Sequence, residues 1–204
     1  MGSSVICISH STGAGGEEIG RQLAERLQMR YLDEEIVARA AAAGGVSAED
    51  LRHAERRKGA LERLFRSFAE SALYADGSLP LVPDQTEAHL LLIREAIDAT
   101  AEEGNVVIVS HAASMTLGQR TGVLRVLVTA SPKTRVKRIV HDHGDERAAQ
   151  DLIEKSDAGR AAYLKSSHGI SRELPTHYDL VVNTDALTIE QASSLIAAAA
   201  AAPS

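Results

Sequence analysis

"ICISHSTGAGGEEIG", residues 6–20, decides the fold. Its apolar start reads as a short strand, the glycines at 13, 15 and 16 as a tight turn, and Glu17 to Leu27 as a helix. A strand that enters a helix through glycines collects several backbone N–H groups at one point. The helix N-terminus adds unpaired donors and a partial positive charge, so the corner suits an anion. The general phosphate-binding motif, G-x-x-x-x-G-K-[ST], adds a lysine for charge and a hydroxyl for Mg²⁺. Aligned on "TGAGG", this chain has His10 at the first glycine, Gly16 at the lysine and Glu17 at the hydroxyl, with Glu18 the next residue. Taken alone, the stretch also fits a tight connection that binds nothing. Glu17 and Glu18 likewise fit carboxylates that only stabilise the dipole of a first helical turn.

Working outward, three further unbroken apolar runs, 105–110, 124–129 and 179–183, join 5–9 as strands buried on both faces, and "MRYLD" at 29–33 is a shorter fifth. Such runs mark a parallel sheet. Helical segments at 17–27, 85–102 and 132–141 alternate with them, which predicts right-handed crossovers and a doubly wound α/β sheet. Two stretches break the rhythm. Residues 47–78 open with "SAED", a capping box, and carry Leu61, Leu64, Phe65, Phe68 and Leu73 on one helical face, as packing surface or as a partner-binding stripe. Residues 142–178 are highly polar, the composition of a segment that packs weakly and can move as a cover. "PLVPDQ" around Pro80 is the expected hinge.

Composition narrows the function. A net charge of −6 argues against a general binder of polymeric nucleic acid, which has to neutralise many phosphates. The single Cys7 lies in the first apolar run and points to a buried structural thiol in a reducing compartment. No apolar stretch approaches the ~20 residues of a membrane helix, and the alanine-rich end, 196–204, reads as a fraying helix. A cytoplasmic protein with no membrane partner is expected; the sequence leaves its oligomeric state open.

The ordered segments "ICISHSTGAGGEEIGRQLAERL", "YLDEEIVAR", "NVVIVSHAAS", "LRVLVTASPKTRVKRI", "KSDAGRAAYL" and "YDLVVNTDALTIEQ" resemble the cytidylate kinase-like family, a divergent branch of the nucleoside monophosphate kinases. The resemblance runs from residue 5 to about 196. It implies one domain over 1–204 with a three-layer P-loop kinase fold. That fold has a five-stranded parallel sheet with helices on both faces (core 1–46, 79–141 and 179–204), a helical acceptor-binding insertion at 47–78, and a mobile lid at 142–178. The implied ligands are ATP with Mg²⁺ and a nucleoside monophosphate.

Residue by residue, the resemblance implies that Thr12, Gly13, Ala14, Gly15, Gly16, Glu17 and Glu18 wrap the donor phosphates. The branch typically reads "SREYGSGGREIG" there, so a glycine at the lysine position is a family trait. His10 stands where the branch has Arg, and Glu17 where it often has a basic residue. Each such loss of charge beside a polyanion costs on the order of a few kcal/mol, depending on the local dielectric. Glu18 is a candidate ligand of Mg²⁺ through water. Asp33 and Arg39 would contact the acceptor, Arg39 through the paired hydrogen bonds a guanidinium makes to phosphate. His111 replaces the arginine of "VIVGRGA". As a pair, His10 and His111 are either incidental or, when protonated, phosphate ligands whose affinity strengthens toward pH 6.

Cationic charge is concentrated elsewhere. Between Glu103 and Asp142 there is no acidic residue, while Arg120, Arg125, Lys133, Arg135, Lys137 and Arg138 all fall there. By resemblance, Arg135 and Arg138 approach the phosphates. Asp157 and Arg160, one helical turn apart, form the lid's far limb, with Arg160 the clamp, Asp157 its orienter or a contact to the acceptor base, and Lys155 and Lys165 auxiliaries. A solvated helix pair is the plain alternative. Two activities follow: a phosphotransferase moving the γ-phosphate of ATP to CMP or a similar acceptor, or a nucleotide-binding pseudokinase that turns over poorly.

Overall fold

A computed structural model describes residues 2–33, 94, 97–110 and 113–202. The insertion at 47–78, the hinge at Pro80, the apolar stripe from Leu61 to Leu73, Arg39 and His111 lie outside them. The chain order is β1 (Val5–His10), α1 (Gly16–Leu27), β2 (Arg30–Asp33), α2 (97–103), β3 (Val106–Val109), α3 (Ala113–Leu117), β4 (Val123–Thr129), α4 (Pro132–His143), α5 (Glu146–His168), a 3₁₀ turn (Pro175–His177), β5 (Leu180–Asn183) and α6 (Ile189–Ala201).

The five strands form one sheet in the order β2-β3-β1-β4-β5, and every neighbouring pair is parallel. Alternating side chains sort the strand residues onto two faces. Ile6, Ile8, Val107, Val109, Val126 and Val128 pack with Ile19 and Leu23 of α1 and Ala192 and Ile196 of α6. Val5, Cys7, Val106 and Ile108 face the other way, toward Ile97 of α2, Ala113 and Leu117 of α3, and Tyr163 of α5. Sealing the sheet on both sides is what an unbroken apolar strand requires, and each fully buried Ile or Val contributes about 1.5–3 kcal/mol. Burial pushes the Cys7 thiol up to about 12, which makes it an inert core residue.

The register puts the carboxyl ends of the strands on one edge: Asp33 opposite Val109, His10 opposite Val128, and Thr129 opposite Asn183. Ligands of open parallel sheets lie on that edge. The polar stretch expected to pack weakly forms the 23-residue helix α5. Asp145 caps it, and Ala149 and Ile153 seat it on Ile139 of α4. Among the described residues no helix is long and apolar enough to cross a membrane.

Candidate active site

The turn between β1 and α1 holds Gly13 at φ 80° and Gly15 at φ 85°, left-handed values that a side chain resists. Ser11 N–H donates to Val128 O at 3.1 Å and Ala14 N–H to Ser11 O at 2.9 Å, which closes the turn against β4. Gly15 then caps α1, whose first-turn amides have no acceptor within the helix.

The outer rim of this turn is held by its carbonyls. Arg135 Nε donates to Thr12 O at 2.7 Å, Arg138 Nη1 to Gly13 O at 3.3 Å, and Arg160 Nη1 to His10 O at 3.3 Å. Thr184 Oγ1 donates to Ala14 O at 2.9 Å. In a trans peptide the C=O and the N–H of the next residue point in opposite directions. Pinning the carbonyls of Thr12 and Ala14 outward therefore aims the N–H groups of Gly13 and Gly15 inward. The arginines and Thr184 fix the carbonyls of the turn, leaving the Gly13 and Gly15 amides on the side opposite the pinned carbonyls.

The cations are themselves held by carboxylates. Arg135 makes a two-pronged pair with Asp157 at 2.8 and 2.7 Å. Helical spacing assigns Asp157 to Arg160, one turn further along α5. Instead it faces α4, where the buried Arg135 needs a counter-charge, and Glu173 takes the expected role. Arg160 donates Nε to Glu173 at 2.8 Å and also binds it through Nη2, and it reaches Tyr178 Oη at 3.1 Å, while that hydroxyl donates to Glu173. Burial works against charge on both Arg160 and Glu173. The bonds between them outweigh it, raising the arginine's pKa and holding the carboxyl below its usual range. Arg138 donates to Thr184 Oγ1 and Thr184 O, both at 2.9 Å. A hydrogen bond from Thr12 Oγ1 to Ser156 Oγ, in either direction, ties the turn directly to α5.

The carboxylates beside the turn do not plug it. Glu17 leans back to Arg21 at 3.4 Å and is 58% exposed, and Glu18 is exposed. His10 is different from expectation. Burial pushes its pKa down, with Arg160 and Arg135 acting in the same direction and Glu17 and the contact to Ser11 O opposing. Without a bound anion, protonation of His10 toward pH 6 is therefore disfavoured. NMR titration of the ligand-free protein is expected to place its midpoint below the usual histidine range.

A family model, the cytidylate kinase-like family, matches residues 5–186. The chain belongs to that family. Among curated proteins none matches the sequence. An uncharacterized protein from Eubacterium ventriosum is similar in structure, with a TM-score of 0.66 at 17% identity over 94% of each chain. Shikimate kinase from Bacteroides thetaiotaomicron follows at 0.52 and 16%, covering 94% of this chain and 95% of that one. Shikimate kinase from Acinetobacter baumannii, solved with shikimate, gives 0.52 and 14% over 94% and 89%. At these identities the likeness shows the fold, that of P-loop kinases.

In this cytidylate kinase-like chain the expected site residues divide. The turn 12–18, Arg135, Arg138, Arg160 and His10 converge at the carboxyl edge of β1. Asp33 ends β2 on the same edge. Lys155 and Lys165 are exposed on α5, and Lys133 and Lys137 lie on α4. Arg125 is drawn away: buried, it is paired to Asp179 at 2.6 Å and ties β4 to the entry of β5. Arg120 pairs with Asp98 at 2.9 Å. Sequence reasoning missed Glu173, Tyr178 and Thr184. The first two lie in an irregular stretch where no spacing rule applies, whereas Thr184 just past the end of β5 was within reach of the strand-end rule.

Proposed function

We propose that this chain is a nucleotide kinase-type phosphotransferase that moves the γ-phosphate of ATP to CMP or a similar nucleoside monophosphate. The observation that carries this reading is the turn 12–18, its carbonyls braced outward and its amides gathered inward at the carboxyl edge of the sheet. Main-chain donors of Thr12 to Glu18, apart from the Ala14 N–H that bonds Ser11 O, hold the donor phosphates. Arg135 and Arg160 each grip a carboxylate in paired fashion, the geometry a guanidinium also uses for phosphate oxygens, and in this reading they leave the outer rim of the turn to do so when the nucleotide binds. Arg138 keeps the turn in shape. Asp33, with Arg39 and His111 from outside the described residues, contacts the acceptor.

Phosphoryl transfer asks mainly for positioned reactants, excluded water and cations over the moving group. Mg²⁺ keeps most of its waters and takes few protein ligands. Among the described residues no set of three or more His, Cys, Asp or Glu converges as a metal cage, and that suits an ion arriving with the nucleotide. Glu18, an exposed hard-oxygen donor, is its proposed partner through water; the ion supplies charge neutralisation on the phosphates.

A second reading, a weakly catalytic nucleotide sensor, is favoured by one observation: the charges of Arg135 and Arg160 are already neutralised by Asp157 and Glu173. A coupled assay with ATP, Mg²⁺ and a panel of nucleoside monophosphates separates the two. Shikimate belongs in the panel, because two proteins that share the fold are shikimate kinases. For the kinase, Arg135→Ala is expected to lower turnover about 10²-fold or more, the loss seen when a charge-stabilising donor is removed. Nucleotide binding without turnover selects the sensor. Failure to bind any nucleotide removes both.

A further inference from the structure

The general phosphate motif has glycine at its first position and a side chain, lysine, at its seventh; here the two are exchanged, with His10 first and Gly16 seventh. The geometry gives the reason. A Cβ placed on Gly16 meets His10 Cβ at 2.3 Å, Cγ at 2.4 Å and Cδ2 at 2.7 Å. Real carbon atoms do not approach so closely without a large repulsion, and the first atom met is the rigid root of the histidine side chain rather than a tip that can swing aside. Gly16 is buried, opens α1 and sits directly against the end of β1. The backbone can move little, because Ser11, Ala14 and the carbonyls of His10, Thr12, Gly13 and Ala14 are all bonded to neighbouring elements.

We infer that His10 and Gly16 are a matched pair in which the histidine occupies the room a residue-16 side chain needs, so that His10 is the positioning residue that commits this turn to binding phosphate without a lysine. The inference rests on the proposed phosphate-binding role of the turn for its functional half, while its packing half stands independently. It accounts for the missing lysine by geometry: a lysine at 16 is excluded while any side chain occupies position 10. Main-chain amides and the arginine braces carry the anion instead.

A double-mutant cycle tests it. Stability is measured by urea denaturation, without nucleotide, for the parent, Gly16→Ala, His10→Gly and the double variant. Because contacting residues couple, Gly16→Ala is expected to lower the folding constant at least about tenfold more with His10 present than in the His10→Gly background. If Gly16→Ala alone does not fold, recovery of folded protein in the double variant supports the pair. An additive cycle overturns the inference, and so does a His10→Gly chain that cannot fold, because the side chain is then holding something other than this turn. The functional arm measures MgATP binding by calorimetry for Gly16→Lys with and without His10→Gly. The double variant is expected to bind at least about tenfold tighter than Gly16→Lys alone, the increment of one charged hydrogen bond. Equal binding overturns the functional half. A non-additive cycle in a protein that binds MgATP in no variant upholds the packing pair and overturns the proposed function instead.

Discussion

Arg160→Ala is expected to cost about 3–5 kcal/mol of stability, the penalty for stripping one partner from a buried ion pair. Arg160 is only 9% exposed, and its loss leaves Glu173 with burial opposed only by the Tyr178 hydroxyl and the nearby His177. The same change frees His10 O and removes a donor to Tyr178 Oη. A pH series of denaturation curves separates this from simple cavity formation. In the parent, Glu173 ionises more readily folded than unfolded, so its contribution is full above the unfolded value of roughly 4.3. That contribution is lost as pH falls through the lower, folded value. In Arg160→Ala the carboxyl loses its counter-charge and its pKa moves up toward or past the unfolded value, since burial is then opposed only by Tyr178 and His177. The stability gap between parent and variant is therefore expected to be widest near pH 7, to narrow as pH falls through the variant's value and then the parent's lowered one, and to close once the carboxyl is protonated in both. Adding Glu173→Gln to the variant is expected to recover part of the loss at neutral pH. A gap that is constant with pH, unaffected by that second change, would show that the pair is not what holds this corner together.

The sheet was legible because apolar runs and glycine corners are local signals with one structural outcome. The expected strands recur within a residue or two at each end, and the strand–turn–helix at residues 6–20 is where it was expected. Arg135 and Arg138, two of the arginines that brace the turn, lie in the stretch between Glu103 and Asp142 that carries cations and no acidic residue, whereas Arg160 lies beyond it. Their partners were not legible. Helical spacing placed Asp157 beside Arg160, yet side chains choose counter-charges in three dimensions. Arg135 comes from another helix, 22 positions earlier in the chain, and takes Asp157. Glu173 lies beyond the end of α5 and takes Arg160. The setting of His10 was hidden for a related reason. The sequence shows an imidazole near phosphate-binding amides, but only the fold shows that burial disfavours its charge and that its root lies against Gly16.

Thr184→Val tests the brace that uses no charge. The Thr184 hydroxyl donates to Ala14 O and receives Arg138 Nη1, each at 2.9 Å, inside a residue only 3% exposed. Valine keeps the shape and strands Ala14 O, while Arg138 Nη1 keeps Gly13 O, which at about 1–3 kcal/mol for one stranded polar group predicts a loss of that size. The functional consequence follows from the peptide plane between residues 14 and 15. With Ala14 O unpinned, that plane is free to rotate, and the Gly15 N–H no longer has a fixed direction. MgATP affinity is expected to fall about tenfold, the equivalent of one lost hydrogen bond near 1.4 kcal/mol. Thr184→Ser separates the hydroxyl from its methyl group: it keeps the donor and acceptor and gives up packing of about 1 kcal/mol. Serine is expected to restore nucleotide affinity while leaving a modest stability deficit. If valine and serine weaken MgATP binding equally, the hydroxyl is only filling space, and the turn owes its shape to the arginines alone.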